Sequence, residues 1–370
     1  MKKIDTIIVT SDEPWSPVWH TQLHYAVQLS SIYNVIFINP PKKWKFSNLF
    51  RFLSKKMLKV EENILVYNYH NWTPSTFGML STLINDKLNE WAINRNLKNK
   101  IIDIVWHFDP YRCFYFYRNN RIKHIYHVID RFYNKILDKR LCSYSDVVVV
   151  TSPKVKNYYS RMNQNTILIP QGISSDLVTK FNKKLTTSGS SNKKLVLLGS
   201  LTDKVNYPLL IRVLDETDLD LLIIGPDMLR VEENKKAFKT ITDFIKVEWT
   251  GALAPSGYLA LLKKEYLGII AYKADKKDNK ILRSPLKVIS YLVKGMPVLT
   301  NIDCEIPSLV NEGIYERIPD DEYISFIKKY DKKTISLNRT LVFEFLNSIR
   351  YDILIDRILS HTYNEEGCES

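Results

Sequence analysis

Short β-rich apolar runs alternate with helical segments along almost the whole chain, and this alternation restricts the fold more than any other feature of the sequence. Runs at 6–10, 35–39 and 147–151 belong to a first series, and a second series begins at Leu195. Apolar runs separated by helices are typical of parallel sheets that carry helices on both faces. The sequence therefore predicts an α/β fold with two doubly wound domains.

Composition marks the boundary between the two series. Residues 173–194 contain few large apolar side chains and many Ser, Thr, Asn and Lys residues, which is typical of a linker. We predict Rossmann-like domains at 1–172 and 195–340, and a C-terminal helix over 341–370 that packs back on the N-terminal domain. Because ligands bind outside the carboxyl ends of parallel strands, we expect the two sheets to face each other across a ligand cleft.

The positive charge of the chain is concentrated in its first half. The 370 residues carry 53 Lys and Arg against 40 Asp and Glu, and residues 1–200 alone carry 29 against 13. Such an excess indicates an anionic partner, which the charge alone leaves open between nucleic acid, an anionic membrane and a phosphorylated substrate. The four cysteines lie far apart in the sequence, so neither a disulfide framework nor a zinc site is indicated.

One helix start in the second domain combines strong capping signals with cationic side chains. Ser284 is a good N-cap, Pro285 suits the first helical position, and Gly295 predicts the end of the helix. Arg283 and Lys287 place two cations beside the exposed N–H groups, which favours an anion. The alternative is a capped helix with a solvated lysine.

A glycine turn follows the first strand of the same domain. Gly199 and Ser200 end the run L-V-L-L, and a glycine there lets backbone N–H groups approach a phosphate closely. Together, the turn and the cationic helix start indicate a diphosphate held from two sides, and a nucleotide diphosphate is the expected ligand.

Five segments in a fixed order resemble the GT-B glycosyltransferases, in particular the group 1, family-four-like and teichuronic-acid-type enzymes of bacterial surface polysaccharide synthesis. They are S-P-L-K-V-I-S-Y-L-V-K-G-M-P-V, G-S-L-T-D-K, Y-H-V-I-D, S-D-V-V-V-V-T-S-P and I-P-Q-G-I. The resemblance covers nearly the whole chain. It implies an N-terminal domain that binds the acceptor and a C-terminal domain that binds the nucleotide-sugar donor.

The resemblance also implies roles for single residues in the donor domain. Lys287 matches the lysine that neutralises the donor phosphates, Ser284 matches a helix-start contact to them, and Arg283 adds charge. Further donor contacts are implied for the phosphate loop, the nucleobase loop, a strand-end tyrosine and the ribose-contacting position: Gly199, Ser200, Thr250, Gly251, Tyr272 and Ser290. Alternatively, Tyr272 lies on the surface and Thr250-Gly251 is an ordinary turn.

The chain departs from the family at the paired glutamates of its retaining members, because Leu282 and Ser290 stand at those positions. Retention of the anomeric configuration is thereby put in doubt. Xanthan-type glucuronosyltransferases resemble this chain in that substitution and invert with an aspartate of the N-terminal domain. This likeness points to Asp130 as the catalytic base. His107, Asp109 and His20 are rival bases, and each is equally compatible with a satisfied polar loop residue.

A basic and aromatic segment suggests where a membrane would contact the chain. Residues 42–59 contain seven basic and no acidic residues, interleaved with aromatic and aliphatic ones. This combination suits an anionic membrane surface, whereas the alternative is a basic loop with core aromatics. The expected contacts are Lys42, Lys43, Trp44, Lys45, Phe46, Phe50 and Arg51. No apolar stretch approaches the roughly 18 residues of a spanning helix, and the N-terminus does not resemble a signal peptide, so contact should be peripheral.

These features together predict a glycosyltransferase of capsule or related surface polysaccharide synthesis. It would transfer a sugar from a nucleotide-diphosphate sugar to a lipid-linked saccharide, in the cytoplasm at the inner face of the cell membrane. No cofactor or metal is expected, because Lys287 and Arg283 can neutralise the leaving group. The alternatives are a nucleotide-sugar epimerase-like protein of the same fold or, with no nucleic-acid-binding motif to support it, a nucleic-acid-binding protein.

Overall fold

The computed structural model describes residues 4–16, 20–42, 56–74, 78–97, 100–112, 121–129, 135–183, 194–273, 281–282, 286–304, 315–330 and 338–363. The chain divides into two compact units, which are Met1–Pro170 together with Tyr351–Ser370, and Gln171–Arg350. Both units are mixed α/β structures built on a largely parallel sheet, which confirms the predicted fold class.

The described strands and helices alternate along most of the chain. The strands are β1 (Thr6–Thr10), β2 (Asn34–Ile38), β3 (Lys56–Glu61), β4 (Ile64–Asn68), β5 (Ile104–His107), β6 (Lys123–Val128), β7 (Val147–Val150), β8 (Thr166–Leu168), β9 (Lys194–Leu198), β10 (Asp220–Ile224), β11 (Val247–Trp249), β12 (Leu267–Ile270), β13 (Ile281–Leu282), β14 (Val298–Thr300), β15 (Asp303–Cys304) and β16 (Tyr315–Arg317). The helices are α1 (Thr21–Ser30), α2 (Gly78–Asn96), α3 (Lys135–Tyr144), α4 (Pro153–Tyr159), α5 (Ser175–Lys183), α6 (Tyr207–Glu216), α7 (Glu232–Thr242), α8 (Pro255–Leu261), α9 (Leu286–Leu292), α10 (Tyr323–Tyr330), α11 (Arg339–Ser348) and α12 (Tyr351–Tyr363).

The sheet of the first unit joins eight of the described strands in the order β3-β4-β2-β1-β5-β6-β7-β8. Strands β1, β5 and β7 are buried along their whole lengths, as expected for central strands with helices on both faces. The sequence alternation missed the edge hairpin, in which β3 runs antiparallel to β4. Exposed, charged side chains such as Lys59 and Glu61 on this edge hide its strand character.

The sheet of the second unit joins six of the described strands in the order β11-β10-β9-β12-β14-β16, all of them parallel to their neighbours. Helix α6 shows how the sequence builds the covering layer. The Asn206 side chain caps its start by accepting a hydrogen bond from the Leu209 N–H, and Leu210, Val213 and Leu214 are buried on the core side. The apolar core lies between these helices and the sheet.

Two segments between and after the sheets are more structured than the linker and tail predictions describe. Helix α5 lies inside the segment 173–194. The periodic C-terminal segment forms two helices, because Ile349, with φ −106° and ψ 18°, ends α11 before α12 begins. Helix α11 belongs to the second unit and α12 to the first. In the described part of the chain, no helix is long and apolar enough to cross a membrane.

Candidate functional site

Three glycine turns follow the neighbouring strands β9, β10 and β11 at their carboxyl ends. Gly199, Gly225 and Gly251 have φ values of +115°, +153° and +71°, which other residues rarely adopt. The Gly199 N–H donates to Ile224 O, and the Gly225 N–H donates to Gly251 O, both at 2.8 Å. A Cβ on Gly225 would lie 2.1 Å from the carbonyl oxygen of Gly199, so the first two turns touch through their backbones.

The ammonium group of Lys287 lies between the Gly199 turn and Tyr272. Its Nζ atom is 3.4 Å from the point where a Cβ of Gly199 would stand. It donates a hydrogen bond of 2.5 Å to the Tyr272 hydroxyl and lies 4.7 Å from the centre of the tyrosine ring. The structure thus brings Lys287 next to the Gly199 turn, with which the sequence had already paired it, and places Tyr272 beside both.

The environment of Tyr272 changes its acidity. Burial by itself raises the pKa of the phenol, but the charge and hydrogen bond of Lys287, with a further contribution from Lys204, outweigh burial and bring the pKa below its ordinary value. A cation that stabilises a phenolate also attracts an anionic ligand. Lys287, together with Lys204, therefore makes this point of the unit electropositive.

Hydrogen bonds fix the backbone on both sides of Tyr272. Its N–H donates to Asn301 Oδ1 at 2.9 Å, and Asn301 Nδ2 donates to its carbonyl oxygen at 2.6 Å. Asn301 also donates to Asp320, whose other carboxylate oxygen accepts a hydrogen bond from Asn206 at 3.0 Å. This network ties the end of β12 to the start of α6, and it fixes the backbone that carries the Tyr272 side chain.

Tyr291 anchors the helix that carries Lys287. Its hydroxyl donates to Val196 O at 2.9 Å and accepts from the Leu198 N–H at 2.8 Å, so it satisfies two backbone groups of β9. Strand β12 pairs with β9 only at Leu195 and Val196 of β9. Beyond this pairing, the Tyr291 hydroxyl takes the place of the neighbouring strand as a hydrogen-bond partner of β9. Tyr291 lies one helical turn after Lys287 on α9.

The end of α9 has the predicted geometry. Gly295 has φ +69°, its N–H donates to Leu292 O at 2.8 Å, and the Met296 N–H donates to Tyr291 O at 3.0 Å. Arg283 and Ser284, which were predicted to contribute at the start of this helix, lie outside the described residues. Their roles remain predictions.

The remaining predicted donor contacts lie in the same unit. Ser200 is half-buried in the turn after β9. The Thr250 hydroxyl donates to Gly251 O at 3.1 Å and lies 3.4 Å from Ile223 O, so it ties down the turn after β11. Ser290 is buried, donates to Leu286 O at 2.9 Å and lies 3.3 Å from the Tyr258 hydroxyl. Its short side chain bonds within its own helix.

Sequence reasoning missed two parts of this site. Trp249 is 42% exposed and donates from Nε1 to Gly225 O at 3.0 Å, so an indole ring borders the glycine turns. Lys204 contributes to the positive potential at Tyr272, and its carbonyl oxygen accepts from the Lys273 N–H. The D-K pair in G-S-L-T-D-K was a signal that could have identified Lys204, whereas nothing local in the sequence marks Trp249.

The first-unit candidates for a catalytic base have different surroundings. Asp130 lies outside the described residues, so its role remains a prediction. His20 is partly exposed at the start of α1, where its backbone oxygen accepts from the Leu23 N–H at 3.1 Å. His107 is fully buried, and its Nε2 lies 3.1 Å from His124 Nδ1. Burial, with a smaller effect of His124, holds the pKa of His107 well below its ordinary value.

The partners of Asp109 are groups of the turn in which it lies. It is buried, accepts a hydrogen bond from the Tyr111 N–H at 2.8 Å and forms an ion pair with Arg112. Burial raises the pKa of Asp109, and Arg112 and the Tyr111 N–H oppose that shift. The carboxylate thereby caps the turn that follows β5. His107 and Asp109 are both almost completely buried, whereas His20 has access to solvent.

Of the predicted membrane contacts, Lys42 alone lies in the described part of the chain. It is exposed, its N–H donates to Tyr69 O at 3.0 Å, and it forms a parallel bridge with His70. Lys43, Trp44, Lys45, Phe46, Phe50 and Arg51 lie outside the described residues.

No family model and no curated protein match the chain. Several solved structures do. Sucrose-phosphate synthase from Thermosynechococcus elongatus is similar with a TM-score of 0.67 at 11% identity, over 96% of this chain and 98% of that one. Anabaena HepE, solved with UDP and glucose, is similar with a TM-score of 0.61 at 13% identity, over 96% and 98% of the two chains.

The lipopolysaccharide outer core galactosyltransferase WaaB is similar with a TM-score of 0.60 at 12% identity, over 98% of this chain and 100% of that one. These likenesses extend over almost the whole length of both chains, and at such low identities they establish the fold. Taken with the two parallel sheets, they show that this chain has the GT-B glycosyltransferase fold that its motifs predicted.

Proposed function

We propose that the protein is a glycosyltransferase that uses a nucleotide-diphosphate sugar as its donor. The observation that carries the proposal is the Lys287 ammonium between the Gly199 turn and Tyr272. The strand order reverses between β9 and β12, and a parallel sheet binds ligands at the carboxyl ends of the strands at such a reversal. The Gly199 turn follows β9 and Tyr272 follows β12. The Lys287 ammonium lies next to both.

A diphosphate suits this place chemically. Glycosyl transfer leaves the nucleotide diphosphate with an additional negative charge, and a fixed cation stabilises that charge as it develops. Glycine turns let backbone groups approach phosphate oxygens, and the exposed Trp249 ring offers an apolar face to a nucleobase. The presence of UDP and glucose in the similar HepE structure agrees with this ligand class.

Calorimetric titration with UDP, GDP and their sugars tests the donor site. We expect one nucleotide diphosphate to bind the wild-type protein, and we expect Lys287→Ala to weaken it about 10- to 100-fold through the loss of a charge-assisted hydrogen bond. Lys239→Ala, an exposed lysine in the last turn of α7, is the matched control and should bind as the wild type does. Equal affinity in both variants, or binding of duplex DNA without nucleotide binding, would remove the proposal.

We further propose that Asp130 acts as the base that accepts the proton of the acceptor hydroxyl, with inversion at the anomeric carbon. The motif Y-H-V-I-D and the exchange of the paired glutamates for Leu282 and Ser290 support this assignment. Asp130→Asn should abolish transfer while nucleotide affinity stays unchanged. His20→Asn is the comparison, because His20 is the described rival with access to solvent. Normal turnover in Asp130→Asn would exclude this base.

The acceptor that we propose is a lipid-linked saccharide at the inner face of the membrane, in surface polysaccharide synthesis, and we propose that transfer needs no metal or cofactor. The excess of basic residues in 1–200 and the basic aromatic segment 42–59 support an anionic, membrane-bound acceptor. Transfer to a synthetic lipid-diphosphate saccharide, unchanged by EDTA, is the expected result. An epimerase would instead convert the nucleotide sugar without any acceptor, which product analysis by mass spectrometry distinguishes.

A further inference from the structure

A pair of hydroxyl groups lies between helices α8 and α9 of the second unit. The Tyr258 hydroxyl of α8 is 3.3 Å from the Ser290 hydroxyl of α9. Ser290 follows Lys287 by one helical turn, and residues at this spacing are neighbours on a helix surface, with about 5–6 Å between their Cβ atoms. The hydroxyl pair is therefore the next group along α9 from the lysine of the proposed diphosphate site.

The order of the strands places this pair near the carboxyl ends of β9 and β10. Helix α8 leads from β11 to β12 and therefore crosses β10 and β9, and α9 continues in the same direction from β12 to β14. Right-handed connections that run in one direction lie on one face of a parallel sheet, so the two helices are neighbours there. Tyr258 is in the first turn of α8, which begins soon after the Gly251 turn.

The hydrogen bonds of this pair have a direction. The Ser290 hydroxyl donates its single proton to Leu286 O at 2.9 Å, so toward Tyr258 it acts as the acceptor. The Tyr258 proton is thereby committed to Ser290, which is the one hydrogen-bond partner of this phenol among the described residues. The lone pairs of the Tyr258 oxygen form the free end of the chain, and the bonds behind them make that oxygen a stronger acceptor.

A hydrogen-bond acceptor at this place selects one class of ligand group. Burial raises the pKa of Tyr258, and the hydrogen bond with Ser290 opposes that shift only in part, so the phenol is neutral at physiological pH. Phosphate oxygens are almost all deprotonated there and have no proton to donate, whereas a ligand hydroxyl has one. Tyr258 is half-buried and thus partly open to a ligand, and its oxygen suits a hydroxyl group.

The ribose is the part of a nucleotide-diphosphate sugar that brings hydroxyls to this place. In the proposed donor site the diphosphate lies at Lys287, beside the end of β9, and the base lies beside Trp249, at the end of β11. The ribose joins the two and therefore lies near the end of β10, the strand between them, which α8 crosses. The transferred sugar is attached to the opposite end of the diphosphate, away from the base.

We propose that the Tyr258 hydroxyl accepts a hydrogen bond from a ribose hydroxyl of the bound nucleotide and so makes the donor site selective for ribonucleotides over deoxyribonucleotides. The inference rests on the proposed function, since it requires a nucleotide diphosphate at Lys287. Calorimetric titration with UDP, GDP, ADP and CDP, and with the 2′-deoxy and 3′-deoxy analogue of each, tests it. The ribonucleotide that binds the wild type should bind about 3- to 10-fold more tightly than one of its two analogues, because one neutral hydrogen bond contributes about this much.

The variant Tyr258→Phe separates recognition from packing, because phenylalanine keeps the ring and removes only the oxygen. This variant should bind the ribonucleotide and the deoxy analogue with equal affinity, and its affinity for the deoxy analogue should match that of the wild type. Tyr323→Phe is the control. It removes a hydroxyl that bonds to Leu299 O in the core of the same unit, so it should keep the wild-type preference.

Each outcome supports or overturns the inference. A wild type that binds the ribonucleotide and both analogues equally overturns it. A Tyr258→Phe variant that weakens all three ligands by the same factor also overturns it, because that result is a packing effect. A loss that is confined to the corresponding nucleotide sugar would assign the Tyr258 hydroxyl to the transferred sugar instead. Nucleotide binding without the preference refutes this inference alone, whereas the absence of any nucleotide binding refutes the donor proposal as well.

Discussion

The ring of Tyr291 lies so close to the α-carbon of Gly268 that a Cβ on this glycine would come within 2.6 Å of the ring. Because Gly268 has no side chain, the ring of Tyr291 fits beside strand β12. That room lets the Tyr291 hydroxyl reach Val196 O and the Leu198 N–H of β9. A glycine on one strand therefore positions the helix that carries Lys287.

Removal of the Tyr291 hydroxyl tests this relationship. Tyr291→Phe leaves the Leu198 N–H and Val196 O without this partner in a buried place, so we expect a loss of about 1–3 kcal/mol in the free energy of unfolding. We also expect weaker nucleotide binding, since α9 loses its anchor. Urea unfolding and calorimetry measure the two effects. Tyr323→Phe, which removes another buried hydroxyl of the same unit, should cost stability without changing nucleotide affinity.

The contact between two glycine turns predicts a large difference between two glycine substitutions. Gly225→Ala should destabilise the second unit by more than about 2 kcal/mol, because a backbone oxygen lies 2.1 Å from the new Cβ and φ is +153°. Gly257→Ala, in α8, meets no atom closer than 3.7 Å and should be neutral or slightly stabilising. Thermal unfolding of both variants checks the prediction, and equal melting temperatures would contradict it.

Tyr272 should ionise at lower pH than an ordinary tyrosine in the free protein. Burial raises its pKa, but the adjacent Lys287 and then Lys204 lower it by more. Lys287→Met should therefore raise the pKa of Tyr272, and a bound diphosphate should raise it as well by competing for the cation. Ultraviolet absorbance of the phenolate against pH, with Tyr272→Phe as the blank, measures the change. An unchanged titration in Lys287→Met would show that the cation does not control the phenol.

Buried histidines of the first unit should weaken the protein at acidic pH. Burial lowers the pKa of His127 to about 3, and burial with a smaller effect of His20 lowers that of His24 to about 4. Below about pH 6.5 the unfolded chain binds protons that the native state refuses, so the free energy of unfolding falls as the pH falls toward these values, by up to about 1.4 kcal/mol per pH unit for each histidine.

The pH slope, rather than the absolute stability, is the informative quantity. His127→Asn keeps a polar side chain beside Trp106 but removes one titrating group. Chemical denaturation between about pH 7 and pH 5 should give a smaller slope for this variant than for the wild type. A slope that does not change would assign the acid sensitivity to other groups.

The parallel sheets could be predicted because strands buried on both faces, such as β1 and β7, are continuous apolar runs. The β3-β4 hairpin could not, since Lys59 and Glu61 are exposed and the edge strand is only half covered. Helix α2 escaped prediction because its inner side is largely polar and its apolar residues are spread around the helix, with Leu83 packed against the core while Leu80 and Leu88 are exposed. Without an apolar stripe, hydrophobic periodicity gives no sign of a helix.

The residues of the candidate site also divide into those that local sequence could predict and those that only the folded structure reveals. Gly199 and Lys287 could be chosen from the sequence, because a glycine turn after a strand and a lysine at a capped helix start both suit a phosphate, and Tyr272 followed from the family resemblance. Their mutual contact depends on the strand order, which no local pattern contains. Tyr291 and Gly225 act through groups distant in sequence, namely the β9 backbone and the Gly199 carbonyl, so only the folded unit reveals them.

The polar inner face of α2 has a consequence for the order in which the first unit folds. Its N-terminal half is held by hydrogen bonds to 71–74 and by the half-buried Leu83, so hydrophobic burial is small there, whereas Ile93 and Leu97 secure the other end. This half should therefore dock late and open first, as a local unfolding unit hinged near Ile93. Amide hydrogens around Ser81 and Asn85 should exchange with solvent well before those of β1 and β5.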